Sequence, residues 1–214
     1  MTIDFTQSLN FPCDFGVSLS VFNKHGWWLG NGFHNNWMVE MRQSHSDTVI
    51  HIDSDDCVDF HSPIGPFAHH TIQVDGDACI AQQSRLAITV RTADCLPIII
   101  LSGRMIAVIH AGRQGTLQGI ARTTALQLRD NYGCHQVTAW FGPCLCTCCH
   151  EVHADTQTHY DLIHANSDQL REVFTNDDCN IMHANVCTKC NSNDWFSYRA
   201  GDGVGRNYFL IAAK

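Results

Sequence analysis

Residues 85–91, RLAITVR, put Leu86, Ile88 and Val90 at alternate positions, the period of a strand with one buried face. The next two apolar runs, LPIIIL (96–101) and MIAVI (105–109), are continuous. That pattern belongs to strands buried on both faces, and the short SGR between them predicts a hairpin. The period then changes. Across 116–131, Leu117, Ile120, Ala121 and Leu128 fall on one helical face, and Gly133 supplies a stop. VTAWF (137–141) reads as strand. Residues 155–174 read as a second helix, with Leu162, Ala165, Leu170 and Val173 on one side, and GRNYFLIAAK (205–214) as a last strand. FHSPIGPFAHHT (60–71) holds two prolines and a glycine and reads as a surface loop. Strands and helices interleaved around one core predict an α/β (α+β) class with a mixed central sheet, and 214 residues suit a single domain spanning 1–214.

Composition narrows the picture. No apolar stretch reaches about 18 residues, so no membrane-spanning helix is expected. The opening MTIDFTQSLNF lacks the basic start and long apolar core of a signal peptide, which points to the cytoplasm. Twelve cysteines in such a chain read as free thiols, metal ligands or a nucleophile rather than disulfides. A net charge of -8 argues against nucleic acid as a partner. An anionic small substrate would need a local cluster of arginine or lysine.

The hairpin carries the candidate chemistry. Antiparallel pairing of 96–101 with 105–109 brings Cys95 and His110 to the same end of the sheet. There they could form a thiolate–imidazole pair for nucleophilic catalysis or supply two ligands to a metal. A buried apolar cysteine beside a hydrogen-bonded histidine is the plain alternative. AGRQGT, following His110, is Gly-rich and could present backbone N–H groups to an anion before a helix opening at about Thr116. A third ligand must come from elsewhere, and His45, His69 and His70 are all open by composition. Four cysteines in CLCTCCH (144–150) look like a thiolate cluster, whereas Cys187 and Cys190 form a C-x-x-C that is weak evidence for zinc without a second pair.

The ordered series Q-x-H (43–45), DGDA, TADCLP, HAG-x-x-GT, GP…CC-x-EV, CT, FSYR and GR resembles the laccase-domain family, also called multicopper polyphenol oxidase, from about Gln43 to the C-terminus. Members of that family are described as zinc-dependent purine nucleoside phosphorylases with adenosine deaminase activity. The resemblance implies a fold similar to the cysteine hydrolase domain of cytotoxic necrotizing factor. It also implies zinc held by His45, Cys95 and His110, with purine nucleosides and phosphate as small-molecule partners. Two imidazoles and one thiolate suit Zn²⁺ with an open fourth position. Arg113 is then the candidate phosphate or ribose contact, and Gln43 a candidate for orienting substrate or ligand. Asp94 and Asp77 are candidates for supporting the ligands or moving protons. The resemblance accounts for Cys187 and for cysteines at the end of 144–150, leaving Cys144, Cys146 and Cys190 as extras.

Departures from the family pattern bear mainly on phosphate. The usual Trp-Arg-Gly after HAG is Arg113, Gln114, Gly115, which moves the charge by one position and, in an extended segment, turns it to the other face. The usual tyrosine before EV is His150, and residues 1–42 diverge from the family pattern. Rival readings are a metal-free hydrolase or amidase, including cell-wall precursor editing, with Cys95 as nucleophile and His110 as base, and copper-dependent phenol oxidation at the same His₂Cys set.

Overall fold

The alternating segment is the pivot between two sheets. In the computed structural model, which describes residues 17–28, 37–52, 71–83, 86–153 and 155–213, it lies near the middle of a six-stranded mixed sheet. The order is β2 (Gly26–Trp28), β1 (Val17–Asn23), β14 (Asn207–Ala213), β7 (Leu86–Thr92), β3 (Trp37–Arg42), β5 (Thr71–Asp75). The chain then turns at 93–95 and enters a second six-stranded sheet, ordered β13 (Cys179–His183), β10 (Val137–Phe141), β8 (Leu96–Ser102), β9 (Met105–Ala111), β6 (Ala78–Gln82), β4 (Val49–Ile52). The α/β class is as expected, with the strands divided between two mixed sheets.

The continuous apolar runs have the predicted cause. Ile99 of β8 and Val108 of β9 pack with Leu19, Val39, Ile88 and Phe209 of the facing sheet. Their neighbours Ile98, Ile100, Ala107 and Ile109 point the other way, into a helical layer. Successive strand residues alternate faces, so a strand covered on both sides must be apolar throughout. The helical layer comprises α1 (Arg113–Gln118), α2 (Ile120–Tyr132) and α3 (Leu162–Val173). Ile120, Ala121, Ala125 and Leu128 of α2 and Leu162 and Leu170 of α3 are buried there.

Helix boundaries differ from the sequence reading. The first helical stretch opens at Arg113 rather than Thr116, and Gly119, at φ 90°, breaks it into α1 and α2. Gly133 stops α2 as expected, at φ 65°, its N–H reaching the carbonyls of Arg129 and Leu128. The last helix opens at Leu162 rather than 155, because the Asp161 side chain caps it by accepting the His164 N–H. Residues just upstream instead form a small ribbon of β11 (Glu151–His153) and β12 (Thr158–His159). Residues 60–70 of the proposed loop lie outside the described residues; Thr71 begins β5. No helix among the described residues is long and apolar enough to cross a membrane.

Candidate metal centre

Strand register gathers the three residues. Antiparallel pairing sets Leu96 opposite Ala111 and Pro97 opposite His110, so Cys95, two residues before the partner of His110, ends on its diagonal at the same end of the hairpin. His110 shares a face with Ile106 and Val108, between the sheets. The parallel pairing of β3 with β7 and with β5 carries the loop after Arg42 alongside both the 93–95 turn and the loop after Asp75. That third loop presents His45. The ligand atoms of His45, Cys95 and His110 all lie within 4.8 Å of one another, with Cys95 Sγ 3.7 Å from His45 Nε2. His110 is buried, Cys95 half-buried and His45 exposed, so the group opens on one side. His69 and His70, the other candidates for third ligand, lie outside the described residues.

Asp77 organises this group from beneath. It has no solvent exposure, and its Oδ1 accepts the His110 Nδ1–H at 2.8 Å and the His45 backbone N–H at 3.0 Å. Oδ2 accepts N–H and O–H bonds from Ser44 and Ser46, the shortest at 2.7 Å. Those bonds hold His45 in a left-handed conformation, φ 64°, that a residue with a side chain rarely adopts. With Nδ1 engaged, His110 presents Nε2 to the site. Gly112 completes the cradle by lacking a side chain: a Cβ there would stand 2.7 Å from His45 Cδ2 and 3.1 Å from Cys95 Sγ.

Electrostatics follow from the packing. Burial alone would raise the Asp77 carboxyl, but the hydrogen bonds from His110, Ser46 and Ser44 outweigh it and hold the group far below the carboxylate range. Burial would raise the Cys95 thiol, yet His110 and His45 pull it down to about 6. Burial would lower His110, yet Asp77 and Cys95 lift it to about 9. Without metal, the two form a thiolate–imidazolium pair at neutral pH.

The group lies in the wall of a cavity of about 790 Å³ whose lining includes Arg91, Arg113, Arg199 and Arg206, with Asp94 the one carboxylate among the described residues. This is the local positive cluster that an acidic chain needs for an anionic ligand. Arg113 stands at the start of a helix rather than in an extended segment. A shift of one position therefore rotates the side chain by about 100° instead of reversing it, and both Arg113 and Gln114 line the cavity. The Arg113 Nε is buried there with no hydrogen-bond partner.

Two further candidate residues line the cavity with their polar groups already bonded to protein. Gln43 spends both ends of its amide on the Arg91 main chain, Nε2 donating to the carbonyl at 2.7 Å and Oε1 accepting the N–H at 2.9 Å. It stitches the β3 and β7 ends together. Asp94, at φ 97°, accepts the Thr188 hydroxyl on Oδ1 and the Arg199 N–H on Oδ2, each at 2.7 Å. Both oxygens thus fix the turn that carries Cys95. Sequence reasoning overlooked Arg199, Arg206 and the buried ring of His150, although FSYR, GR and the histidine before EV had all been singled out. Burial, Arg199 and Arg113 lower His150, which keeps its ring neutral beside the cavity.

A sequence model described as multi-copper polyphenol oxidoreductase laccase matches residues 23–159 and 153–214. The chain belongs to that family. Relatives within reach of it include a purine nucleoside phosphorylase of Clostridium acetobutylicum, 25% identical over 81% of this chain and 76% of the relative. A purine nucleoside phosphorylase of Aquifex aeolicus is 36% identical over 51% of this chain and 46% of its own length. Adenosine deaminase RL5, from an unknown prokaryotic organism, is 28% identical over 64% of this chain and 62% of its own. Among solved structures, YlmD of Geobacillus stearothermophilus superposes with a TM-score of 0.69 at 19% identity, covering 85% of this chain and 75% of that one. The hypothetical protein YfiH of Bacillus licheniformis gives 0.66 at 21%, covering 83% and 74%. These two structures share its fold.

Proposed function

We propose that this chain is a zinc-dependent purine nucleoside phosphorylase that also deaminates adenosine, with inosine, guanosine, adenosine and methylthioadenosine as the substrate class. The observation that carries the reading is the juxtaposition of a His₂Cys group with four arginines in one cavity. The names borne by the Clostridium, Aquifex and RL5 relatives support it. A volume of about 790 Å³ lies within the range of small-molecule sites, roughly 300–1,000 Å³. The donor set fits zinc: one thiolate and two imidazoles converge, and Gly112 leaves the space between them free.

When bound, zinc supplies Lewis acidity that polarises an oxygen and offsets charge developing in the transition state. The chain's own residues do the rest. His45, Cys95 and His110 hold the ion, and Asp77 keeps the His110 proton on Nδ1. Arg113 and Arg199 bind phosphate and orient one of its oxygens toward the ribose C1′, where a C–O bond forms as the C–N bond to the purine breaks. His150, neutral and lining the cavity, is placed to exchange a proton with the purine. The cytoplasm, where thiols stay reduced, is the proposed compartment.

The test is direct. Zinc-replete protein given inosine and phosphate should yield hypoxanthine and ribose 1-phosphate, and nothing without phosphate; adenosine should yield inosine and ammonia. Failure to cleave any purine nucleoside with phosphate present overturns the reading.

A second reading rests on the thiolate–imidazolium pair: Cys95 as nucleophile, His110 as base and Asp77 as its orienting carboxylate, in the arrangement of a cysteine hydrolase. It requires amidase or ester hydrolysis that survives removal of zinc and is abolished by Cys95→Ser. Copper could occupy the same His₂Cys set, but the other candidate group among the described residues is all cysteine, which does not suit a multi-copper oxidase.

A further inference from the structure

A second group of soft ligands stands outside the cavity. Cys146, Cys149, Cys187 and Cys190 bring all four sulfurs within 4.8 Å of one another. Tetrahedral zinc with Zn–S bonds of about 2.3 Å requires S···S separations of about 3.8 Å. Cys149 and Cys190 are already 3.5 Å apart. The spacing is two C-x-x-C pairs, 146–149 and 187–190, so Cys146 and Cys190 are not incidental. The second pair that 187–190 needs is hidden inside CLCTCCH, where Cys144 and Cys148 obscure it.

The backbone is arranged to present these sulfurs together. An isolated bridge between Cys144 and Cys187 lays the two segments side by side, with the Thr188 N–H donating to the Cys144 carbonyl at 3.0 Å. Each pair then folds into a tight turn: Cys149 N–H reaches the Cys146 carbonyl, and Asn191 N–H the Cys187 carbonyl, both at 3.0 Å. Two backbone N–H groups aim at one sulfur, those of Cys146 and Cys190 at Cys187 Sγ, at 3.3 and 3.5 Å. A neutral thiol is a weak acceptor, whereas a thiolate welcomes such donors. Four cysteines this close can all be thiolates only with a cation between them.

We propose that these four cysteines hold a structural zinc ion, separate from the His45–Cys95–His110 group. A closed S₄ shell leaves no position for water or substrate, so the ion ties segments together and takes no part in the reaction. What it ties matters to the neighbouring site. Leu145, one residue before the first pair, donates its N–H to the Asp94 carbonyl at 3.0 Å, and Thr188, inside the second pair, donates to the Asp94 side chain. The clamp therefore braces the turn that carries Cys95, and it braces His150, which directly follows Cys149.

Full-length protein expressed with zinc and purified under reducing conditions provides the test. Cys95→Ala removes the other group's thiolate, so any remaining tightly held zinc reports this one. The expected result is one zinc per chain with four sulfur neighbours at about 2.3 Å by X-ray absorption. Adding Cys149→Ser and Cys190→Ser should remove it, whereas adding Cys148→Ser should not. Wild-type protein loaded with Co²⁺ gives a reading independent of every variant: intense thiolate charge-transfer bands of tetrahedral S₄ coordination. Zinc-free Cys95→Ala protein, nitrogen or oxygen neighbours around its zinc, absence of the S₄ cobalt spectrum, or a disulfide in place of metal would each overturn the proposal.

Discussion

Asp77 and His110 are joined twice: the carboxylate accepts the ring Nδ1–H at 2.8 Å, and the Asp77 carbonyl accepts the His110 backbone N–H at 2.7 Å. The register of β6 against β9, which pairs Ala78 with Ile109, sets Asp77 opposite His110 and so brings both contacts within reach. One acid thus fixes the ring's tautomer and, through Ser44, His45 and Ser46, the loop that delivers His45 to the group. Asp77→Asn keeps the volume but replaces an acceptor oxygen with a donor. Zinc affinity at this group should fall by about 10–100-fold, the usual cost of losing such a partner, as read by competition with a chelator. Stability should fall by about 3 kcal/mol, since a buried charged network is broken. The pH sign follows from the depressed carboxyl. Its contribution is present above the unfolded value of about 3.9 and is lost as pH falls toward the native one. Acid denaturation of Asp77→Asn should accordingly be shallower than that of the wild type.

Metal-free protein should carry a reactive thiolate at Cys95. The group sits at about 6 against an ordinary 9.0, so its alkylation rate should rise through pH 6 and level off by neutrality. Peptide mass spectrometry separates it from Cys79, which burial pushes up to about 12. His110→Ala removes the stabilising cation and should move the Cys95 midpoint upward. The stability signs oppose one another. The His110 contribution is present below its unfolded 6.5 and lost as pH rises through about 9. The Cys95 contribution is present above 9.0 and lost as pH falls through about 6. Between about 6.5 and 9 the pair should therefore add no net slope to the stability of the metal-free protein. A Cys95 midpoint near 9 would break the pairing.

Gly112 has an ordinary φ of −78°, so its requirement is spatial rather than conformational. Gly112→Ala would drive a methyl to 2.7 Å from His45 and 3.1 Å from Cys95. Zinc affinity of this group should drop at least about tenfold, with far-ultraviolet circular dichroism unchanged and the tetrathiolate zinc retained.

Asp94 combines a left-handed backbone with two hydrogen bonds, one buried and one partly so, and substitutions can separate these. Asp94→Ala loses the bonds and keeps the strain, at a cost of about 3 kcal/mol. Asp94→Gly loses the bonds but relaxes the backbone and should be about 1 kcal/mol less damaging. Equal melting temperatures for the two variants would mean that φ 97° carries no strain there.

The hairpin was legible because Ile98–Leu101 and Ile106–Ile109 are apolar at every position, which sets both strands between two layers and leaves Cys95 and His110 at one end. The start of α3 was not. Leu162, Ala165 and Leu170 give its face, but the stop at Asp161 depends on a cap and on a ribbon partner at 151–153 that periodicity does not reveal. The partners of Gln43 were hidden for a similar reason, since the amide of this cavity-lining residue bonds the main chain of Arg91, 48 residues away. The match of 146–149 with 187–190 was not legible because four closely spaced cysteines allow several spacings, and only the bridge between Cys144 and Cys187 selects one. Arg199 and Arg206 reach the cavity from a segment following the 187–190 turn, a closure that no local pattern encodes.

Arg113 separates the two proposed activities. Its Nε is buried in the cavity wall without a partner, a cost that a bound anion would offset. Phosphorolysis needs positive charge aimed at phosphate and at the negative charge that phosphate brings to the ribose C1′. Arg113→Ala should therefore reduce phosphate-dependent cleavage of inosine by about 10²-fold or more, the scale of losing one preorganised donor. Adenosine deamination consumes water rather than phosphate and should fall much less. Arg113→Lys keeps a charge but loses the planar fork, and should recover only part of the phosphorolysis. Raising the phosphate concentration distinguishes the step affected. If Arg113 chiefly binds phosphate, saturation should restore much of the rate; if it stabilises the transition state, kcat should stay low. An equal collapse of both activities, with zinc retained, would instead assign Arg113 to the shape of the cavity and remove it from the phosphate contact.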